Sequence, residues 1–97
     1  MSQSFEWDDA KARSNQQKHG VTFQEASTAF ADPLAAIFTD PDHSDEDREI
    51  LIGSSERNRL LIVSFTERGG NVRIISARVA SAGERRNHEE NRMGGRP

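Results

Sequence analysis

Residues 60–65, Leu-Leu-Ile-Val-Ser-Phe, constrain this chain more than any other stretch, because they are followed by Arg68-Gly69-Gly70-Asn71 and then by Val72-Arg73-Ile74-Ile75-Ser76-Ala77-Arg78. β-Branched and aromatic residues suit a pleated, half-buried surface. Glycines take positive φ without cost and so close a hairpin. A strand over 59–66 therefore returns antiparallel over 72–78, and the rest of the chain must cover this hairpin.

The flanking segments read as further elements. Phe5-Glu6-Trp7 is a short first strand. Asp8 caps a helix over 9–19, with Lys18 and His19 in its last turn and Gly20 just past its end. Thr22-x-x-Glu25 is a capping box that opens a second helix. Phe23, Ala26 and Phe30 lie on one face of that helix, and Asp32-Pro33 ends it. Strands follow over 34–39 and 49–54, joined by a polar loop over 40–47. Ser81-x-x-Glu84 is a second capping box, opening a helix to about residue 92. The order is strand, two helices, a four-stranded meander and a helix. It predicts an α+β domain with a mainly antiparallel sheet, and shows no crossover pattern of a parallel sheet. The 97 residues make a single domain, 1–97, with residues 93–97 expected to fray.

Net charge is −3, but its distribution is uneven: residues 1–47 carry 10 acidic and 3 basic side chains, and residues 48–97 carry 6 acidic and 10 basic. The second half is therefore locally cationic, which is what phosphate binding requires. With no cysteine, disulfides and thiolate metal sites are excluded. No apolar run has the length of a membrane span and no signal peptide is visible, so a cytoplasmic protein is expected. The loop over 40–47 has Asp45 where a calcium loop has glycine and Leu51 where it has glutamate, so it reads as solvated. No His-x-x-x-His pair and no Gly-rich phosphate loop occurs, so neither metal nor cofactor is expected.

RNA can be cleaved without metal, because the 2′-hydroxyl is its own nucleophile. The protein must move protons and stabilise phosphate charge. Arg59, Arg68, Arg73, Arg78 and Arg85 are candidate phosphate ligands, since a guanidinium presents a fixed fork of donors. His19, Glu84 and His88 are candidate acid or base groups. Glu84 and His88 are four apart on one helix face, although Glu84 also serves its capping box. Simple alternation puts Arg73, Ile75 and Ala77 on one face of the strand and Val72, Ile74, Ser76 and Arg78 on the other. The last helix lacks large apolar residues up to Met93, so it has no conventional stripe to bury. A sheet that bound RNA by stacking alone would need exposed aromatics. Phe65 alternates with Leu61 and Val63 and reads as core.

Phe5-Glu6-Trp7-Asp8, Lys11, Asn15 and Lys18-His19-Gly20-Val21-x-Phe23-x-Glu25-Ala26 together resemble the opening of the BrnT family of toxins. The resemblance continues through Asp32-Pro33, Asp42-His43-Ser44, Arg48, Gly53, Arg73-Ile74-Ile75-Ser76-Ala77-Arg78 and Glu84-Arg85, spanning about residues 5–90. It implies a RelE-like fold and a metal-independent ribonuclease toxin of a type II toxin–antitoxin pair. It also implies a BrnA-like antitoxin partner, and operator DNA reached through that antitoxin. Two departures stand out. Val79 replaces a second basic residue, and His88 stands where the family usually has a tyrosine. Histidine also transfers protons near neutrality; a degenerate toxin that only binds its antitoxin is the alternative.

Overall fold

The computed structural model describes residues 3–42 and 47–92; the centre of the acidic loop and the C-terminal residues for which fraying is expected lie outside them. The elements are β1 (Ser4–Glu6), α1 (Asp9–His19), α2 (Phe23–Thr28) with a 3-10 turn at Ala29–Ala31, β2 (Ala36–Thr39), β3 (Glu49–Ser54), β4 (Leu60–Arg68), β5 (Asn71–Val79) and α3 (Ala82–Arg92). The α+β architecture is the expected one.

The sheet has the order β1-β5-β4-β3-β2. The meander β2 to β5 is antiparallel, but β1 pairs parallel to β5 through Ser4–Asn71, Phe5–Val72 and Glu6–Arg73. The sheet is therefore mixed. The sequence gives no sign of this, because the connection back to β5 consists of the entire intervening fold rather than a local crossover unit.

The two sheet faces differ. Leu51, Leu61, Val63, Phe65, Val72, Ile74 and Ala77 form one core with Val21, Phe23, Ala26 and Ala29 of the α1–α2 segment. Phe30 joins Phe5 and Phe65 in two edge-to-face contacts, with centroids 5.1 and 5.0 Å apart. The other face carries Leu60, Ile62 and Ala80, flanked by Ile50 and Ile52, and lies beneath α3. Gly53 permits close packing of β3: a Cβ there would stand 2.9 Å from the Ala29 carbonyl oxygen.

The caps behave as the sequence predicts, with one exception. The Asp8 carboxylate accepts from the Lys11 N–H at 2.9 Å, and Gly20 closes α1 at φ 67°. Thr22 Oγ1 accepts from the Glu25 N–H, but Glu25 does not reach back to complete the box. Its carboxylate is buried and accepts from Ser55 Oγ at 2.7 Å and Arg59 Nε at 2.9 Å.

Candidate functional site

A β-bulge organises the site. Ser64 pairs with Ser76 while its neighbour Phe65 pairs with Ile74, so Ile75 is an extra residue without a cross-strand partner. Side-chain alternation slips by one at that point. Arg73, Ser76 and Arg78 consequently share the face opposite Val72, Ile74 and Ala77. Uninterrupted alternation had separated Arg73 from Arg78. The bulge unites them because the face of β5 turned to the core must bury Ala77.

The start of α3 then delivers a carboxylate to this face. Ser81 Oγ accepts from the Glu84 N–H at 3.2 Å, and Glu84 Oε1 accepts from the Ser81 N–H at 2.8 Å, so this capping box is complete. The same carboxylate holds Arg78 in a two-point fork: Nη1 donates to Oε1 and Nη2 to Oε2, both at 2.8 Å. Hydrogen bonding from Arg78, then from the Ser81 backbone, lowers the Glu84 pKa to about 2. The carboxylate is thus ionised at neutral pH and engaged by donors from Arg78 and Ser81. Arg78 remains partly exposed, and a guanidinium has five N–H donors, so donors are left for an incoming anion.

Four positions on α3, Glu84, Asn87, His88 and Asn91, follow helical spacing and line one wall of a groove of about 500 Å³. The other wall is apolar and includes Ala36 and Phe38 of β2 and Ile52 of β3. His88 is only 6% exposed, and its Nε2 is buried without a hydrogen-bond partner among the described residues. The last helix is therefore seated by the ionic fork and a buried imidazole in place of an apolar stripe.

The remaining candidates are dispersed. Arg73 donates to Glu6 Oε2 at 3.0 Å on the same face, further from α3, and this bond is the main cause of the lowered Glu6 pKa. Arg68 is exposed at the end of β4, and Arg85 is exposed on α3. Arg59 lies elsewhere: it is committed to Glu25 and donates through Nη2 to the Gly20 carbonyl at 3.0 Å. His19 is exposed at the end of α1, in a shallow depression shared with Lys11, Lys18, Ile75 and Ser76. The strands beneath His19 and His88, β5 against β3 and β2, are two and three strand spacings apart, about 10–15 Å. The two imidazoles do not form one pair. Sequence reasoning missed Asn87, Asn91 and Phe38, although the spacing of 84, 87, 88 and 91 on one helix face was available to it. Among the described residues no group of three or more His, Asp or Glu side chains is placed to hold a metal ion.

A mixed sheet with helices on both faces, and an arginine fixed by a carboxylate beside a buried imidazole, invites comparison with small toxins that act on RNA. Residues 7–84 match the family model described as the ribonuclease toxin BrnT of type II toxin–antitoxin systems. The chain belongs to the BrnT family, whose toxins are paired with an antitoxin protein. The fold is similar to that of the Brucella abortus ribonuclease toxin BrnT, known from a 1.1 Å crystal structure, with a TM-score of 0.66 and 26% identity over 82% of this chain and 99% of that one. A search of curated proteins returns no match. No helix among the described residues is long and apolar enough to cross a membrane.

Proposed function

We propose that this chain is a metal-independent endoribonuclease whose reaction centre is Arg78, Glu84 and His88. The observation that carries the reading is the two-point Arg78–Glu84 fork beside a buried imidazole whose Nε2 has no hydrogen-bond partner among the described residues. His88 accepts the proton of the RNA 2′-hydroxyl. The 2′-oxygen attacks the adjacent phosphorus, giving a 2′,3′-cyclic phosphate, and the 5′-oxygen departs with a proton from solvent. Arg78, held by Glu84, stabilises the charge that builds on the phosphoryl oxygens. Arg73, Arg68 and Arg85 bind neighbouring phosphates, and His19 with Lys11 and Lys18 extends the cationic surface on the far side of β5. Arg59 is a structural residue in this scheme. A BrnA-like antitoxin neutralises the toxin in the cytoplasm by covering this cationic face, and the pair reaches operator DNA through the antitoxin.

Two observations favour a second reading. Both Nη atoms of Arg78 are already bonded to Glu84, and His88 occupies the position where a tyrosine is usual, which suits a degenerate toxin that only binds its antitoxin. The test is cleavage of purified RNA in EDTA by wild type, Arg78→Ala and His88→Ala. Fragments ending in 2′,3′-cyclic phosphate from wild type, and absent with both variants, support the ribonuclease. Folded wild type that neither cleaves free RNA nor arrests growth supports the degenerate form.

A further inference from the structure

We infer that the groove between α3 and β2 is a seat for one unstacked nucleobase of the RNA substrate, with Phe38 as its stacking platform and Asn87 and Asn91 reading its polar edge. This rests on the ribonuclease reading above and specifies how the substrate is held. Three independent features converge. First, Phe38 is 48% exposed, and the register places it on the same sheet face as Arg78. A large aromatic ring left half in water on the face of the reaction centre suits base stacking, which is sequence-tolerant because every base has a π-face. Second, the opposite wall offers two amides, Asn87 and Asn91, one helical turn apart and exposed, with no hydrogen-bond partner among the described residues. An amide carries both donor and acceptor, as does the edge of a base. Third, Glu84 lines the groove and grips Arg78. Glu84 therefore links the guanidinium that would hold a phosphate to the wall of the groove that would hold a base. The groove, about 500 Å³, lies in the size range of small-ligand sites.

A protein segment is the competing occupant, and the test separates the two. The probes are RNA tetranucleotides with a 2′-O-methyl group at the scissile ribose, which removes the nucleophile, and with 2-aminopurine on one side of the scissile phosphate or the other. Wild type should quench one of the two probes. Phe38→Ala should bind it about 5- to 100-fold more weakly without quenching it. Asn87→Ala/Asn91→Ala should retain quenching but lose discrimination among the four bases at that position, read from sequenced cleavage ends. All three residues are partly or largely exposed, so circular dichroism and Tm should match wild type. RNA cleavage with unchanged affinity and base preference in both variants would overturn the nucleobase seat while leaving the ribonuclease standing. Loss of antitoxin binding alone in Phe38→Ala would overturn it in favour of a protein-docking groove. Folded wild type that binds no probe would overturn both readings.

Discussion

The side chain of Asn15 replaces a missing strand at Ala77. β1 pairs with β5 only as far as Arg73, which leaves the outer edge of β5 open beyond it. There, Asn15 Oδ1 accepts from the Ala77 N–H at 3.0 Å, while Nδ2 donates to the Ala77 carbonyl at 2.8 Å and to the Val21 carbonyl at 3.0 Å. One amide thus satisfies three buried backbone groups and fixes α1 to the strand that carries Arg78.

Asn15→Ala should therefore be severely destabilising although it removes little apolar surface. Leaving buried backbone groups unpaired costs about 1–3 kcal/mol each, so with three groups involved a loss of at least about 3 kcal/mol is expected. Urea denaturation followed through Trp7 fluorescence measures it. A loss below about 1 kcal/mol would mean that water or another side chain takes over the edge.

The Arg78–Glu84 fork should make the seating of α3 sensitive to acid. Glu84 has a folded pKa of about 2 against 4.5 for the free group. The folded state therefore favours the ionised carboxylate. Its contribution is complete above about pH 4.5 and is lost as the pH falls through about 2. Glu25 and Glu6, also lowered, act in the same direction. Glu84→Gln retains a capping-box side chain but cannot ionise. Its denaturation midpoint should fall less steeply than that of wild type between pH 4.5 and 2; parallel curves would show that the fork contributes nothing to stability. The pair is partly exposed, so salt should weaken the difference.

Gly53 offers a test of packing between β3 and the 3-10 turn. Its missing Cβ would meet the Ala29 carbonyl oxygen at 2.9 Å, the Ala35 Cβ at 3.0 Å and the Leu51 Cδ2 at 3.1 Å. Backbone and two side chains must all shift to admit a methyl group. Gly53→Ala should cost about 1–3 kcal/mol, as overpacking does. A Tm equal to that of wild type would show that the turn moves freely.

Most of the elements were legible in the sequence because caps, turns and periodicity are local. Asp8, Gly20, Thr22, Ser81 and the Gly69-Gly70 turn all mark their boundaries correctly. Three features were not legible, and each depends on tertiary context. The parallel pairing of β1 joins segments 67 residues apart. The bulge at Ile75 is an irregularity of pairing that composition does not encode, and it decides which face Arg73 shares with Arg78. Glu25 has the sequence pattern of a capping residue, but the fold buries it and supplies Arg59 and Ser55 as partners. A second-half excess of arginines predicted a cationic surface without separating structural arginines from exposed ones.

Arg59 and Arg78 are the pair that distinguishes those two kinds. Each is held by a glutamate in a two-point interaction, with Glu25 buried and Glu84 partly exposed. Arg59 additionally ties the carbonyl of Gly20 to the start of β4, joining the end of α1 to the sheet. Arg59→Ala strands the buried Glu25 carboxylate and should lower Tm by several degrees, while RNA cleavage per folded molecule remains within about twofold, because the Arg59 side chain is held by Glu25 on the sheet face opposite Arg78. Arg78→Ala leaves a partly exposed carboxylate that water can solvate, so it should lower Tm less than Arg59→Ala does. Its cleavage rate should drop about 10²–10³-fold, the usual effect of deleting a preorganised charge-stabilising donor. Parallel Tm and single-turnover measurements on the two variants check the assignment. If Arg59→Ala were the stable, inactive variant, the reaction centre would belong beside α2 instead of beneath α3.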